Sequence, residues 1–248
     1  MSGKSELKIF DDLPPQVVVE SGYFEDIHTR NSLDEGNAVV EFYIPASNVD
    51  YLDLNDSLLS LRVKVVKRDG SSFAATDTNL PTPMNFLMYG LFTDVIVDLN
   101  DVTIEGGSSG YPYKAAIESL LNFNSEAYNT QFYSLGYDLR KESRSSWIKQ
   151  SSVVELVGSL RLDFFSQPKY LIPGVNVRIR LQRSKDDFCL TRSDSKSNDG
   201  DWKIMLQQAI LYVRRVKVHP AVTKAHSMGL QYKNAIYPYI RTKTVSFT

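Results

Sequence analysis

The residues of this chain that could carry metal chemistry are few and widely spaced. Its three histidines stand at His28, His219 and His226. No two of them have the HExxH spacing of a zinc site, so we expect structural or surface roles for all three. An acidic loop contains Asp194, Asp199 and Asp201 but lacks the ligand spacing and closing glutamate of an EF-hand. We therefore predict a solvated loop there and no metal site in the chain.

Nucleophiles and phosphate-binding motifs are equally scarce. The single cysteine, Cys189, lies in the apolar string Phe188-Cys189-Leu190, which predicts a buried, inert thiol and excludes an internal disulfide. The chain has no GxSxG elbow and no Walker A motif, and Gly106-Gly107 has the features of a linker. A pair of carboxylates brought together by the fold would leave no motif, as in glycosidases. Since no such pair is recognisable, we expect no enzyme activity and no cofactor.

Composition places the chain among ordinary globular proteins. Of its 248 residues, 42% are hydrophobic and 23% charged, which is enough apolar material for a packed core. The net charge of -1 provides no general footprint for nucleic-acid binding. The N-terminal sequence MSGKSELKIFDDLPP has no apolar signal-peptide core, and no stretch approaches the roughly 18 apolar residues of a membrane helix. We expect a protein without a signal peptide or membrane span, synthesised as a soluble intracellular protein.

The clearest structural pattern is the alternation of apolar and polar residues between Val153 and Leu190. Apolar side chains alternate with polar ones from Val154 to Phe164 and again from Val175 to Leu181, on either side of the Pro173-Gly174 turn. This period of two predicts a half-buried hairpin. Its polar face carries three arginines that are candidates for contacts with a partner: Arg178, Arg180 and Arg183. A solvated sheet face is the other interpretation of these arginines.

Similar patterns recur along the chain and predict an all-β protein. Further strands are expected at 39–44, 59–65, 93–99, 102–104, 202–218 and 239–247, with a bulge or bend near Arg214-Arg215. One helix is expected at Tyr113–Phe123, where Ala116, Ile117, Leu120 and Leu121 have helical spacing after Pro112. Roughly eight or nine antiparallel strands with one short inserted helix favour a β-sandwich of the jelly-roll type. We predict an N-terminal arm at residues 1–33 and a single jelly-roll domain at 34–248.

The segment from Asn124 to Ser151 is polar but rich in scattered aromatic residues, and we predict a long loop there. Long loops in compact domains usually serve a function, and subunit interfaces favour aromatic side chains. The candidate interface residues are Tyr128, Phe132, Tyr133, Tyr137 and Trp147. An alternative is that some of these aromatics close one end of the sandwich.

Several ordered motifs resemble the major capsid protein, or hexon, of Maverick/Polinton elements and adintoviruses, a family whose copies also lie in animal genomes. The motifs are SELKIF (Ser5 to Phe10), DYLDLNDSLLSLRVKV (Asp50 to Val65), PTPMNFLMYGLFTDVIVDLND (Pro81 to Asp101), GYPYKAAIESLLNF (Gly110 to Phe123), the segment from Val153 to Leu190, and AILYVRRVKVHPAV (Ala209 to Val222). They extend over nearly the whole chain.

The resemblance implies a viral capsid jelly roll of the double-jelly-roll lineage, in which three chains form a pseudo-hexagonal capsomer. It implies a location in the virion capsid, self-association as a homotrimer or larger assembly, and a second jelly-roll chain and a penton protein as further partners. Contact of the arginine-bearing face with the packaged genome is a further expectation. The sequence ends about where the family crosses toward its second jelly roll, so we expect the first half of a double jelly roll. A minor, penton-type single jelly roll and a carbohydrate- or other ligand-binding module are the alternatives.

Overall fold

The computed structural model describes residues 18–33, 38–77, 80–107, 110–191 and 202–244. The predicted acidic loop with Asp194, Asp199 and Asp201 lies outside these residues, as do residues 1–17 of the predicted arm. Within the described ranges, every helix is too short or too polar to cross a bilayer.

Ten antiparallel strands form the body of the described structure. They are β1 (Val19–His28), β2 (Val39–Ile44), β3 (Tyr51–Lys67), β4 (Thr82–Pro83), β5 (Phe92–Leu99), β6 (Val102–Glu105), β7 (Val153–Gly158), β8 (Val177–Arg183), β9 (Leu190–Thr191) and β10 (Trp202–Val218). One four-stranded sheet has the order β1-β10-β3-β7 and the other has the order β2-β8-β5-β6, while β4 and β9 form a separate pair.

This strand order is that of a jelly roll. If the short pair β4 and β9 is set aside, nearly every connection carries the chain from one sheet to the other. The first and last strands of the barrel, β1 and β10, lie side by side in one sheet, with β3 as the next neighbour. Two Greek keys closed in this way leave two facing sheets around one core. The prediction of an antiparallel jelly-roll sandwich is confirmed.

The core lies between the two sheets and is filled by alternate residues of each strand. On β3, Leu59, Leu61 and Val63 are completely buried, while the residues between them are at least partly exposed. On β8, Val177 and Ile179 face the same core from the other sheet. The period-two alternation of the sequence therefore identified the inward face of both strands correctly.

The predicted hairpin between Val153 and Leu190 is wrong, because its two halves belong to different sheets. Strand β7 pairs with β3, whereas β8 pairs with β2 and β5. Strand β7 also ends at Gly158, although the alternation continues to Phe164. The backbone N–H groups of Asp163 and Phe164 donate to the carboxylate of Glu105 instead of to a neighbouring strand. Alternation indicates which residues are buried, but it does not identify the partner strand.

The helical content exceeds the single predicted helix. The helices are α1 (Leu87–Gly90), α2 (Tyr111–Asn122), α3 (Ser125–Asn129), α4 (Lys141–Trp147), α5 (Asp186–Cys189) and α6 (Pro220–Gly229), with 3₁₀ turns at Gln131–Leu135, Lys149–Ser151 and Phe164–Ser166. Helix α2 agrees with the predicted one to within two residues at each end. The predicted loop at 124–151 instead contains α3, α4 and two 3₁₀ turns. These elements are too short to show a helical period, and α3 begins with a cap in which Asn124 accepts from the N–H of Ala127.

The first and last strands of the domain also differ from those predicted. Strand β1 lies inside the predicted arm and pairs with β10 along its length. Its alternation is weak because it is an edge strand in which only Ile27 is buried, Val19 and Glu25 are partly buried, and the other seven residues are exposed. At the other end, residues 239–244 form no strand, and the N–H of Thr242 donates to the side chain of Asp163. The predicted bulge in β10 is confirmed by a shift in its pairing with β3 between Tyr212 and Arg214.

Candidate interaction surfaces

Three of the five predicted interface aromatics form a cluster within the chain. Phe132 and Tyr137 are only 1% and 7% exposed, and half-buried Tyr128 lies between them. The ring centroids of Phe132 and Tyr137 lie 5.3 and 4.6 Å from that of Phe86 in the core. Such edge and tilted contacts are typical of packed aromatic cores. In the single chain, Phe132 and Tyr137 belong to the core and Tyr128 packs against it.

The other two aromatics form a separate pair nearer the surface. Tyr133 is 56% exposed, and its ring contacts half-buried Trp147 edge-on at a centroid distance of 5.3 Å. Of the five residues, Tyr133 offers the largest exposed fraction to a neighbour. The role of the set in subunit contacts stays a prediction.

The three predicted contact arginines all have partners within the chain. Arg180 forms an ion pair with Asp98 at 2.8 Å, and the Asp98 side chain is only 4% exposed. Arg178 lies 3.6 Å from Glu41, and Arg183 donates to the carbonyl of Ile204 at 2.7 Å. These contacts tie neighbouring parts of the structure together. Whether the same face also meets a partner or the genome stays a prediction.

A buried ion cluster, which was not predicted from the sequence, lies beneath α2. Lys114 Nζ lies 2.7 Å from Asp163 Oδ1 and 3.2 Å from Glu105 Oε1, and each of these side chains is about 10% exposed or less. Burial disfavours the charged lysine, but the hydrogen bond to Asp163 and the charge of Glu105 outweigh it and raise the pKa of Lys114. Burial also raises the pKa of nearby Glu118. No sequence signal joins these residues, since the fold brings them together from distant positions.

Helix α2 exposes its apolar side. Its buried residues are Tyr111, Pro112, Lys114, Ala115 and Ser119. Its exposed large apolar residues are Tyr113, Ile117, Leu120 and Leu121, with exposed fractions of 56%, 51%, 40% and 77%. Of the four apolar residues whose spacing predicted the helix, only Ala116 packs against the core, and the other three are exposed.

The segment after β10 forms a second exposed apolar surface, which we call the C-terminal extension (residues 220–244). No residue from Pro220 to Ile236 is buried except in part, and α6 has no buried residue at all. Its exposed apolar residues are Met228, Leu230, Tyr232, Ile236 and Ile240. Between the extension and the sandwich lies a largely apolar cavity of about 580 Å³, lined by Val18, Tyr51, Ile172, Val218, Val222 and others.

The C-terminal extension is basic as well as apolar. It contains Lys224, Lys233, Arg241 and Lys243 and has no aspartate or glutamate. Its hydrogen bonds to the sandwich include those of the Tyr51 hydroxyl with His226 Nδ1 at 2.7 Å, of Lys169 Nζ with the carbonyl of Ile236 at 2.8 Å, and of the Ile172 N–H with the hydroxyl of Tyr237 at 3.0 Å. Tyr237 and Tyr239 also pack against the core, where both rings contact Phe164, whereas the five exposed apolar residues of the extension face outward.

The three histidines and the cysteine all lie within the described residues. Those residues contain no cluster of three or more His, Cys, Asp or Glu side chains that could hold a metal ion. Cys189 is 1% exposed, and burial raises the pKa of its thiol to about 12, so it is protonated at neutral pH. His219 accepts from the N–H of Ala221 at the start of α6, and His226 contacts Tyr51. These are the structural roles expected of histidines.

No protein-family profile matches the chain, and neither does any curated protein sequence. Solved structures that are similar include PBCV-1 VP54 fitted into a reconstruction of the virophage Sputnik, and the PBCV-1 virus capsid. The TM-score is 0.54 for each, with 12% and 13% identity over 87% of this chain and 46% of the other. The Faustovirus major capsid protein also has a TM-score of 0.54, with 10% identity over 91% of this chain and 59% of its own.

The chain spans about half the length of these solved structures. At such low sequence identity the likeness is one of fold. The chain has the jelly-roll fold that is found in these viral capsid structures.

Proposed function

We propose that this chain is a structural capsid protein, in which one jelly roll provides a rigid wall and its exposed apolar surfaces are covered by neighbouring jelly rolls. The proposal is supported by the fold shared with viral capsid structures and by the motifs that resemble the Maverick/Polinton and adintovirus hexon. The observation that carries it is the C-terminal extension, a segment in which no residue is fully buried and five large apolar side chains are exposed.

An extension of this kind needs a partner to be stable. Helix α6 has ten residues and none of them is buried. Isolated helices shorter than about 12–15 residues are marginal in water, and most helical stability in proteins comes from packing of an apolar face. Exposed apolar patches of this kind mark protein interaction sites. We infer that another domain covers Met228, Tyr232 and Ile236 in the assembled protein.

The partner that these features favour is a second jelly roll. The similar solved structures have chains about twice as long as the part that matches. The excess of lysine and arginine in the extension predicts a partner surface that is apolar with an acidic rim. In the finer version of the proposal, two jelly rolls form one third of a trimeric, pseudo-hexagonal capsomer in the shell of a virus of the Maverick/Polinton type or an endogenous derivative. Tyr133 and Trp147 are then candidates for contacts between neighbours.

The test is the assembly state of the purified protein, measured by size-exclusion chromatography with light scattering and by negative-stain electron microscopy from low to high salt. We expect particles larger than the monomer, with three-fold symmetry. The double substitution Tyr232→Ser and Ile236→Ser should weaken assembly, because it removes apolar surface without touching the sandwich core. Five-fold particles would instead indicate a penton-type protein. A strictly monomeric protein under all conditions, together with binding on a glycan array, would favour a carbohydrate-binding module and contradict the proposal.

A further inference from the structure

We propose that the outward face of α2 is a contact surface for a second copy of this chain, with the same stripe of residues meeting on both copies. The stripe consists of Tyr113, Ile117, Leu120 and Leu121. This inference depends on the proposed function, because it presupposes that the chain assembles with itself. The contact is two-fold and is separate from the three-fold contacts of the capsomer, for which Tyr133 and Trp147 are candidates.

The stripe has the geometry of a contact face. Its four residues are separated by four, three and one positions, so they lie on one side of an α-helix. In an ordinary surface helix this apolar side packs on the protein and the polar side meets water. In α2 both sides carry apolar residues: Tyr111 and Ala115 pack inward together with Lys114, while the stripe on the other side is exposed, with Leu121 at 77%.

The ion cluster holds α2 in this orientation. Turning the apolar stripe inward would pull Lys114 away from Asp163 and Glu105 and leave two nearly buried carboxylates without their cation. The far end of the helix is fixed as well, because the hydroxyl of Tyr128 donates to the carbonyl of Leu120 at 2.7 Å. The stripe is therefore a rigid feature of the folded chain, with its side chains already in position for a partner.

The charges of the two exposed apolar surfaces indicate that they bind different partners. None of the four exposed stripe residues carries a charge, so two identical stripes meet without repulsion. The extension has four cationic side chains and no acidic one, so contact between two copies there would bring like charges together. Of the two exposed apolar surfaces, the stripe is the one suited to a second copy of the same chain, in an isologous contact.

The size of the stripe sets the strength of the contact. From the exposed fractions of its residues, each copy would bury on the order of 400 Å², if a large side chain has about 150–250 Å² of surface. This is about half of the roughly 800 Å² per partner of a standard stable interface. We expect a weak contact that is populated only at high protein concentration and is strengthened where many copies assemble.

Sedimentation velocity over a wide range of protein concentration tests the inference on the intact chain. The wild-type sedimentation coefficient should rise with concentration. The double substitution Ile117→Glu and Leu121→Glu places charges on both stripes, and we expect it to shift association to at least tenfold higher concentration. The matched control is Leu139→Glu, an exposed leucine outside α2 with 75% exposure, which should associate like the wild type. Circular dichroism and thermal unfolding establish that each variant is folded.

Oxidative crosslinking tests the stripe-on-stripe geometry. Cys189 is buried, so Ile117→Cys introduces the only accessible thiol among the described residues. Its position within the stripe should give a disulfide-linked dimer when an oxidant is added, whereas Leu139→Cys should not.

The outcomes separate this inference from the proposed function. A wild-type chain that associates while the Ile117→Glu, Leu121→Glu variant associates equally well overturns the role of α2 and leaves the capsid proposal standing. Loss of association in that variant without crosslinking of Ile117→Cys overturns the stripe-on-stripe contact. A wild-type chain that stays monomeric at every concentration contradicts both.

Discussion

Lys114 Nζ lies 2.7 Å from Asp163 Oδ1, and this contact joins α2 to the loop that follows β7 in a largely buried position. Glu105 is the third member, with its second oxygen accepting from the N–H of Phe164. A buried ion pair contributes little net stability compared with apolar packing, but removal of one member is costly because it leaves an unpaired charge. The cluster therefore acts mainly by fixing which side of α2 faces the sandwich.

Replacement of Lys114 by methionine should strongly destabilise the fold. The substitution leaves Glu105 and Asp163 together without a cation, and the expected loss is about 3–5 kcal/mol in the free energy of unfolding. Urea unfolding at neutral pH measures it. Lys224→Met, on the exposed surface of α6, is the control and should change stability by less than about 0.5 kcal/mol. Equal stability of the two variants would show that the ion cluster is not needed to position α2.

Alkaline pH should lower the free energy of unfolding, because three groups have a higher pKa in the folded state than in the unfolded state. Burial raises the pKa of Cys189 from 9.0 to about 12 and that of Tyr111 well above 10.0, and the pKa of Lys114 also lies above 10.5. The folded state thus holds these protons more tightly than the unfolded state. Their combined contribution to stability is complete below pH 9. The contribution of each group falls by about 1.4 kcal/mol per pH unit once the pH exceeds its unfolded-state pKa, and it is lost as the pH rises through the folded-state pKa.

The measurement is the free energy of unfolding from pH 7 to pH 11. Cys189→Ala should flatten the decline between pH 9 and pH 10, where Cys189 is the first of the three groups to contribute, even if the substitution lowers stability at every pH. An identical slope in the variant would show that the thiol is not protected by burial.

Gly106 should tolerate alanine far less well than Gly174. Both have positive φ angles, +125° and +87°, which disfavour any residue with a Cβ atom. At Gly106 the added carbon would also lie 2.8 Å from the Cα of Ile96, whereas at Gly174 it would meet no atom within 4 Å. We expect Gly106→Ala to be less stable than Gly174→Ala by about 1–3 kcal/mol, the usual cost of overpacking. Thermal unfolding of the two variants would reveal the difference, and similar melting temperatures would rule out the close approach of Gly106 to β5.

Adjacent aromatic residues after α3 should respond very differently to truncation. Phe132 is 1% exposed within the aromatic cluster, and Phe132→Ala should cost about 3–5 kcal/mol because it leaves a cavity. Tyr133 is 56% exposed, so Tyr133→Ala should cost much less in the isolated chain. Denaturant unfolding compares them directly. If Tyr133 contacts a neighbouring subunit, its substitution should weaken assembly while leaving the folded monomer intact, and an unchanged assembly would contradict that role.

The strands and their buried residues could largely be predicted from the sequence. Alternation along β3, β5 and β8 identified the inward side chains because the geometry of a single strand directs successive residues to opposite faces. The apolar surroundings of Cys189 predicted its burial in the same way. Such patterns are local, so they were informative wherever one face of a strand meets the core. Strand β1 was missed because an edge strand with few core contacts has almost no alternation.

Only the tertiary structure decided the partners of these strands and the orientation of α2. Strands β7 and β8 have the same alternation whether they pair with each other or, as found, lie in opposite sheets. The pairing depends on distant segments such as β3 and β5. The apolar residues of α2 predicted a helix correctly, but three of the four face outward, while Lys114 on the buried side pairs with Asp163, 49 positions away in the sequence. A local period determines which residues share a face, whereas long-range contacts determine which face is buried.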